Sequence, residues 1–438
     1  MFDSALELYN YECLQILKGV TRCGKYSMEY EPWSDSTMSY IQQGTPAFRK
    51  ANVALFAGGL NTFAILYSTQ PIMPELSREF HISPTAASLS LSVTTFALAV
   101  SMLLVGSLSE VWGRKPIMTF SLFAASVLSV LTVFIPDFHF LLGVRILQGI
   151  VLAGLPAIAM AYLGEEIEPT HLGVAMGLYI SGNSIGGMSG RLITGMLADL
   201  FNWRVALSVI GVLSIIASFL FWFSLPPSKN FHPRSLEIGK LIKSMISHLK
   251  DPGLLCLYGI GFFLMGSFVA LYNYIGYLLI APPYSLSQTL VGWIFIVYIV
   301  GTFSSTWMGR MADKYGRPKV LGVTLLIMFI GACMTLNINL LLKIIGIAVF
   351  TFGFFGGHSI ASSWVGRRST HDKAQASSLY LFFYYVGSSI GGTAGGMFWT
   401  SYGWDGVVSM IVCFLMITLI LSIRVSSITH LPQQNIKI

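Results

Sequence analysis

Two arginines and a histidine fall inside long apolar stretches of this 438-residue chain: Arg145, Arg191 and His358. A guanidinium deep in a hydrocarbon-facing helix costs a few kcal/mol, so Arg145 is expected to face a protein interior and to have a partner there. Backbone carbonyls of a neighbouring helix would serve. Arg191 lies nearer the end of its stretch and can either do the same or extend its head toward lipid headgroups. His358, in Phe355-Gly-Gly-His358-Ser359, can titrate near neutrality or act as a neutral hydrogen-bonding group. Carboxylates are placed differently. All 19 Asp and Glu residues fall in tails, connections or the ends of apolar stretches. Glu165 and Glu166, at one such end, are the acids available to a proton site there. Neither a phosphate-binding glycine loop nor a His/Cys cluster is present, and the 5 cysteines have no metal-ligand spacing. The chain is therefore expected to be no enzyme and to need no cofactor or metal.

The elements that position these residues follow from composition. Hydrophobic residues make up 54% of the chain and charged residues only 10%, against about a quarter charged in soluble domains. Lipid is the expected solvent. A bilayer core takes about 20 apolar residues per helix, and twelve such runs occur, near 51–74, 86–109, 116–135, 139–163, 171–196, 205–224, 253–280, 288–310, 318–337, 341–364, 375–399 and 405–424. No cleavable signal peptide is expected within residues 1–50, which read as a polar tail with one amphipathic stretch at Leu6, Tyr9, Cys13, Leu14 and Leu17. Most of the 26 basic residues fall on one side if both tails are cytoplasmic; Arg78, Arg204 and Lys343 remain outside. The net charge of +7 thus reports topology and not nucleic acid. The expected organisation is a tail over 1–50, a six-helix bundle over 51–225, a connection over 226–252, a second bundle over 253–424 and a tail over 425–438. Within the connection, 236–249 is expected to lie as a helix on the membrane surface.

Two bundles are expected because one pattern occurs twice. Gly106-Ser-Leu-Ser-Glu110-Val-Trp-Gly113-Arg114-Lys115 returns as Gly309-Arg-Met-Ala-Asp313-Lys-Tyr-Gly316-Arg317-Pro-Lys319, 203 residues later. Leu178-Tyr179 likewise matches Leu379-Tyr380, and Ser184-Ile-Gly-Gly187 matches Ser389-Ile-Gly-Gly392. Gln70 and Asn273 occupy corresponding places. A repeat of this length is a duplicated domain, as in transporters built of two similar halves. The glycine stripes at helical spacing, Gly182 to Gly190 and Gly387 to Gly395, allow close helix approach, either as static packing or as a sliding seam between halves.

These residues resemble the major facilitator superfamily over 45–425. The doubled turn is similar to that superfamily's loops after its second and eighth helices, and Arg145-Ile-Leu-Gln148-Gly149 to its helix-four motif. Gly182-Asn183-Ser-Ile-Gly186-Gly187 resembles the helix-five motif of the drug–proton antiporter branch, with Asn183 at the proline position. The resemblance implies an all-α membrane fold of twelve helices in two pseudo-symmetric bundles, alternating access, and latching of the outward-facing state by Glu110 and Asp313 with the arginines Arg114 and Arg317. It implies a proton-pathway or anion-binding role for Arg145. It also places Asn61, Gln70, Gln148, Asn273, Tyr274 and His358 on the helices that line the cavity, with Tyr67, Tyr272 and Trp364. The expected activity is export of a drug or metabolite in exchange for protons, by a monomer in a bacterial inner membrane. Alternatives are a facilitator or symporter for a sugar-like metabolite, or a polytopic membrane enzyme or sensor that moves no solute.

Overall fold

The computed structural model describes residues 40–231, 233 and 238–429. The amphipathic stretch near the N-terminus and the tail beyond 429 lie outside the described residues. Helix boundaries follow the capping and breaking residues. Helix α1, Pro46–Tyr67, begins where the Thr45 hydroxyl accepts the Phe48 N–H at 3.2 Å, with proline in its first turn. It stops short of the expected 74 because Pro71 disfavours helical backbone at Gln70 and lacks a donor of its own. The short α2, Met73–Glu79, follows. Helix α3, Pro84–Trp112, is capped by Ser83 and leads into α4, Arg114–Val130. Helices α5, Phe138–Leu152, and α6, Gly154–Glu166, form one span. Helices α7, Leu172–Leu200, and α8, Trp203–Ser224, complete the first bundle.

In the connection, α9 covers Ile238–Leu249. The second bundle opens with α10, Pro252–Ile280, capped by the Asp251 carboxylate. Helices α11, Gln288–Trp293, and α12, Tyr298–Tyr315, make one span through a 3-10 turn. Then come α13, Arg317–Met334, α14, Leu340–Arg368, and α15, Lys373–Thr429. Helix α15 is two spans folded back at Gly403, whose backbone (φ 61°, ψ −145°) is open only to glycine. Among the described residues nine helices are long and apolar enough to cross a membrane. Counting the last as two, and adding the more polar or glycine-rich α1 and α7, gives the twelve spans of the major facilitator fold. Phe120, Phe134, Phe223 and Phe303 stand exposed on the outside, as lipid-facing residues do.

The two halves repeat each other in detail. The charged turns pivot on Gly113 (φ 91°, ψ 155°) and Gly316 (φ 92°, ψ 138°), a backbone state closed to other residues, and both lie at one end of the molecule, here called the turn end. The glycine stripes pack mainly inside each half, although Gly392 also faces Ser92 of the first bundle. A Cβ on Gly186 would meet the Leu60 carbonyl oxygen at 2.2 Å, and one on Gly391 would meet the Gly266 Cα at 2.4 Å. They seat α7 on α1 and α15 on α10.

Contact between halves is concentrated at the opposite, far end. Among the described residues every hydrogen bond joining the bundles lies in that half of the membrane. Thr289 donates to Asp199 at 2.6 Å, Tyr277 donates to the Met73 carbonyl at 2.9 Å, Gln288 donates to the Pro71 carbonyl, and Thr393 donates to Ser92 at 3.0 Å. The backbones of α7 and α11 touch there too, a Cβ on Gly195 falling 3.1 Å from the Gly292 Cα. Replacing Gly113 or Gly316 by alanine is expected to lower stability by about 1–3 kcal/mol each through backbone strain. Thermal unfolding of the purified protein measures this; unchanged midpoints in both variants would contradict the assigned turn geometry.

Candidate functional site

Helix α1 ends inside the first bundle, which leaves its last carbonyls without helical partners and concentrates negative dipole there. Arg145 fills that place. Its Nη2 donates to the Leu66 carbonyl at 2.7 Å, its Nη1 to Ile65 at 3.2 Å and to the Gln148 side chain at 2.8 Å, and its Nε to the Ser90 carbonyl of α3 at 2.8 Å. Gln148 in turn donates to Ser129 at 2.9 Å. The guanidinium is 1% exposed, and no carboxylate bonds it among the described residues. Of the partners open to it in the sequence, the structure supplies backbone carbonyls, so Arg145 ties three spans together.

Arg191, on α7, does not reach for headgroups. It is 2% exposed and turned inward. Its Nε donates to Gln70 at 2.7 Å and its Nη1 to the Gly187 carbonyl at 2.6 Å. Its guanidinium carbon lies 4.1 Å from the ring centre of Tyr67 and 4.9 Å from those of Phe295 and Tyr298, a cation–π cage. Gln70 then donates to Asn273 at 2.7 Å. A chain of side chains thus runs from Arg191 through Gln70 to Asn273, crossing from the first bundle to the second. The Asn273 Nδ2 and the Tyr298 hydroxyl are buried without partners.

Other expected site residues fall elsewhere. Asn61 is turned into the first bundle, donating to Ser218 at 2.9 Å and to the Ser214 carbonyl at 3.1 Å. Asn183 packs on α1, its Oδ1 sitting where a Cβ on Gly59 would be. Tyr274 is fully buried and donates to the Gly392 carbonyl at 2.6 Å, binding α10 to α15. Tyr272 shares a 2.7 Å hydrogen bond with Thr351. His358 shares one of 2.9 Å with the Tyr380 hydroxyl through Nδ1, and its ring lies 4.5 Å from that of Tyr384. Phe295 and Tyr298 were not among the expected residues, because the cavity was read from the first, fourth, seventh and tenth spans and these lie on the eighth. Their spacing of three, which puts both on one helix face, was the signal available.

The charged turns bond within their own halves. Arg114 pairs with Glu165 at 2.6 Å and also donates to Ser109. Asp313 pairs with Arg317 at 2.7 Å and with Arg367 at 3.2 Å. In each half the turn is tied to the end of the tenth span or its counterpart, the fourth, with the signs of charge exchanged. Glu110 has no ion-pair or hydrogen-bond partner among the described residues. Lys115 donates to the Leu225 carbonyl. Gly106 and Gly309 lie one turn before the carboxylates. Glu166, at the same end, accepts the Asn230 N–H at 2.9 Å through one oxygen, while the other is buried without a partner. At the far end, outside the spans, burial pushes the Glu75 carboxyl above its usual range although it accepts the Trp203 N–H at 3.1 Å.

Truncating Arg145 to alanine leaves carbonyls of α1 and α3 unsatisfied in a dry interior, at about 3 kcal/mol or more. Insertion is expected to persist while the purified variant unfolds at lower temperature, and lysine is expected not to restore it, since one ammonium cannot reproduce the planar fork. Wild-type stability in Arg145→Ala would refute the tie.

Comparison with known proteins agrees with this architecture. The family model described as Major Facilitator Superfamily matches residues 55–284 and 259–435. A Bacillus subtilis (strain 168) protein described as the uncharacterized MFS-type transporter YybF is 60% identical over 398 residues, covering 91% of this chain and 98% of that protein. The inner membrane transport protein YnfM of Escherichia coli (strain K12) is 47% identical over 391 residues, covering 89% of this chain and 94% of that one. Among solved structures, a bacterial homolog to the human lysosomal transporter Spinster, inward-facing and unoccupied, superposes with a TM-score of 0.73 at 15% identity, over 87% of this chain and 98% of that one. With the doubled turn and the twelve spans, these matches identify the chain as a multi-pass membrane transporter, not an enzyme, belonging to the Major Facilitator Superfamily.

Proposed function

We propose that the protein moves a small organic solute by alternating access and that the structure is its inward-facing state. The distribution of inter-bundle bonds carries this reading: among the described residues the halves are joined at the far end and share no hydrogen bond at the turn end. Positive charge around the turns supports a cytoplasmic location for that end and for both tails. The likeness to YnfM, an inner membrane transport protein, supports a bacterial inner membrane. Opening the far end would break Gln70 from Asn273 and Asp199 from Thr289. Closing the turn end would offer the unpartnered Glu110 the contacts it lacks here, as the latch reading requires.

The direction we favour is export in exchange for protons, supported by the likeness of Gly182 to Gly187 to the antiporter motif. With the interior free of carboxylates, His358 is the group we assign to carry the proton, through its hydrogen bond to Tyr380. It lies in the interior of the second bundle, on the tenth span. Arg145 in this reading holds the frame of the first bundle, and Gln148 holds Arg145.

Two experiments test the proposal. Cysteines at Asp199 and Thr289, whose side chains are in hydrogen-bond contact, are expected to form a disulfide that stops flux until it is reduced; undiminished flux in the fully oxidised protein would rule out opening of this end. In vesicles with an imposed pH gradient, His358→Gln is expected to keep downhill flux and lose its acceleration by the gradient. Flux that ignores the gradient in the wild type would replace antiport by facilitated diffusion.

A further inference from the structure

The surroundings of Arg191 are incomplete in one specific way. The residue is a permanent cation, 2% exposed, with a glutamine, a backbone carbonyl and three aromatic rings around it. No carboxylate bonds it among the described residues. Two donors in the same cage and chain lack an acceptor: the hydroxyl of Tyr298, 6% exposed, whose ring faces the guanidinium, and the Nδ2 of Asn273, 1% exposed, which joins Arg191 through Gln70. Donors buried without an acceptor are destabilising. A cation with no counter-ion beside donors with no acceptor has the chemistry of a site awaiting an acceptor that carries negative charge.

We propose that Arg191 is the charge-recognising residue for the transported solute and that the solute is an organic anion with a flat apolar body and a carboxylate or sulfonate head. This rests on the transporter reading and narrows it. The head would take the guanidinium and the unmet donors, and the body would lie against Tyr67, Phe295 and Tyr298. A cationic drug would meet a fixed like charge with no acid to offset it, which the drug-antiporter resemblance would not have suggested.

The cage also says how the solute couples to movement. Arg191, Gln70 and Tyr67 belong to the first bundle, whereas Phe295, Tyr298 and Asn273 belong to the second. Separating the far ends parts the two sets and opens a gap beside the guanidinium that residues of both sets still border. An anion then replaces the contacts the closed gate supplied, so it stabilises the parted state over the closed one, as any driver of a conformational equilibrium must.

The test uses three probes that share a phenyl body and differ in the charge of the head: benzenesulfonate, benzenesulfonamide and benzyltrimethylammonium, added to the purified full-length chain. Benzenesulfonate is expected to raise the unfolding temperature, with the other two ineffective at the same concentration. Arg191→Gln is expected to weaken the sulfonate response at least tenfold. Tyr298→Phe, which removes only the hydroxyl, is expected to weaken it severalfold without loss of folding. Equal responses to all three probes, no response to the sulfonate, or a folded Arg191→Gln with unchanged sulfonate affinity would each overturn the proposal. Flux in vesicles separates the two readings. Sulfonate binding with no flux of any probe would overturn transport and leave the anion site, while flux of the ammonium without sulfonate binding would overturn the anion site and leave transport.

Discussion

A guanidinium cannot stand in hydrocarbon without acceptors, and the first bundle is organised around meeting that requirement for Arg145. The helix macrodipole and the free carbonyls at the end of α1 provide the acceptors. Because those carbonyls exist only where the helix stops, the stop at Pro71 and the arginine on α5 depend on each other. The bonds to Ile65, Leu66 and Ser90 hold α1, α3 and α5 at one point. Gln70 follows directly and is carried as a fixed extension of that frame.

The second buried arginine is treated in the opposite manner. Arg145 is satisfied within one bundle and its environment is complete. Arg191 is covered partly by the other bundle, and its completeness depends on how the two are disposed. The same residue type therefore serves as scaffold in one place and as a conditional group in the other, and the difference lies in which half supplies the neighbours. That distinction also explains why the glycine stripes stay mainly inside the halves: close packing of α7 on α1 keeps Arg191 and Tyr67 in register whatever the second bundle does.

Much of this was legible in the sequence. The doubled turn announced two bundles, and the positive φ at Gly113 and Gly316 shows why glycine recurs there. Gln70 and Asn273, at equivalent places in the two copies, meet at 2.7 Å because residues near a pseudo-twofold axis face their own counterparts. Asn61 was harder to place, since its partners Ser126, Ser214 and Ser218 come from two other spans. The cage around Arg191 was illegible for a similar reason. Periodicity tells which face of a helix a residue occupies, but not which helix of the other half that face will meet. The break inside α15 at Gly403 falls between the apolar runs expected at 375–399 and 405–424.

The bridge between Gln70 and Asn273 has a consequence for the rate at which this end can open. It joins two neutral amides, and a neutral hydrogen bond contributes about 1 kcal/mol net, whereas breaking a buried ion pair costs about 3–5 kcal/mol. A closure made this way parts at little energetic cost. The contact itself is indifferent to ionic strength, since no counter-ion screens an uncharged pair, unlike the bond from Thr289 at the same end, whose acceptor is the Asp199 carboxylate.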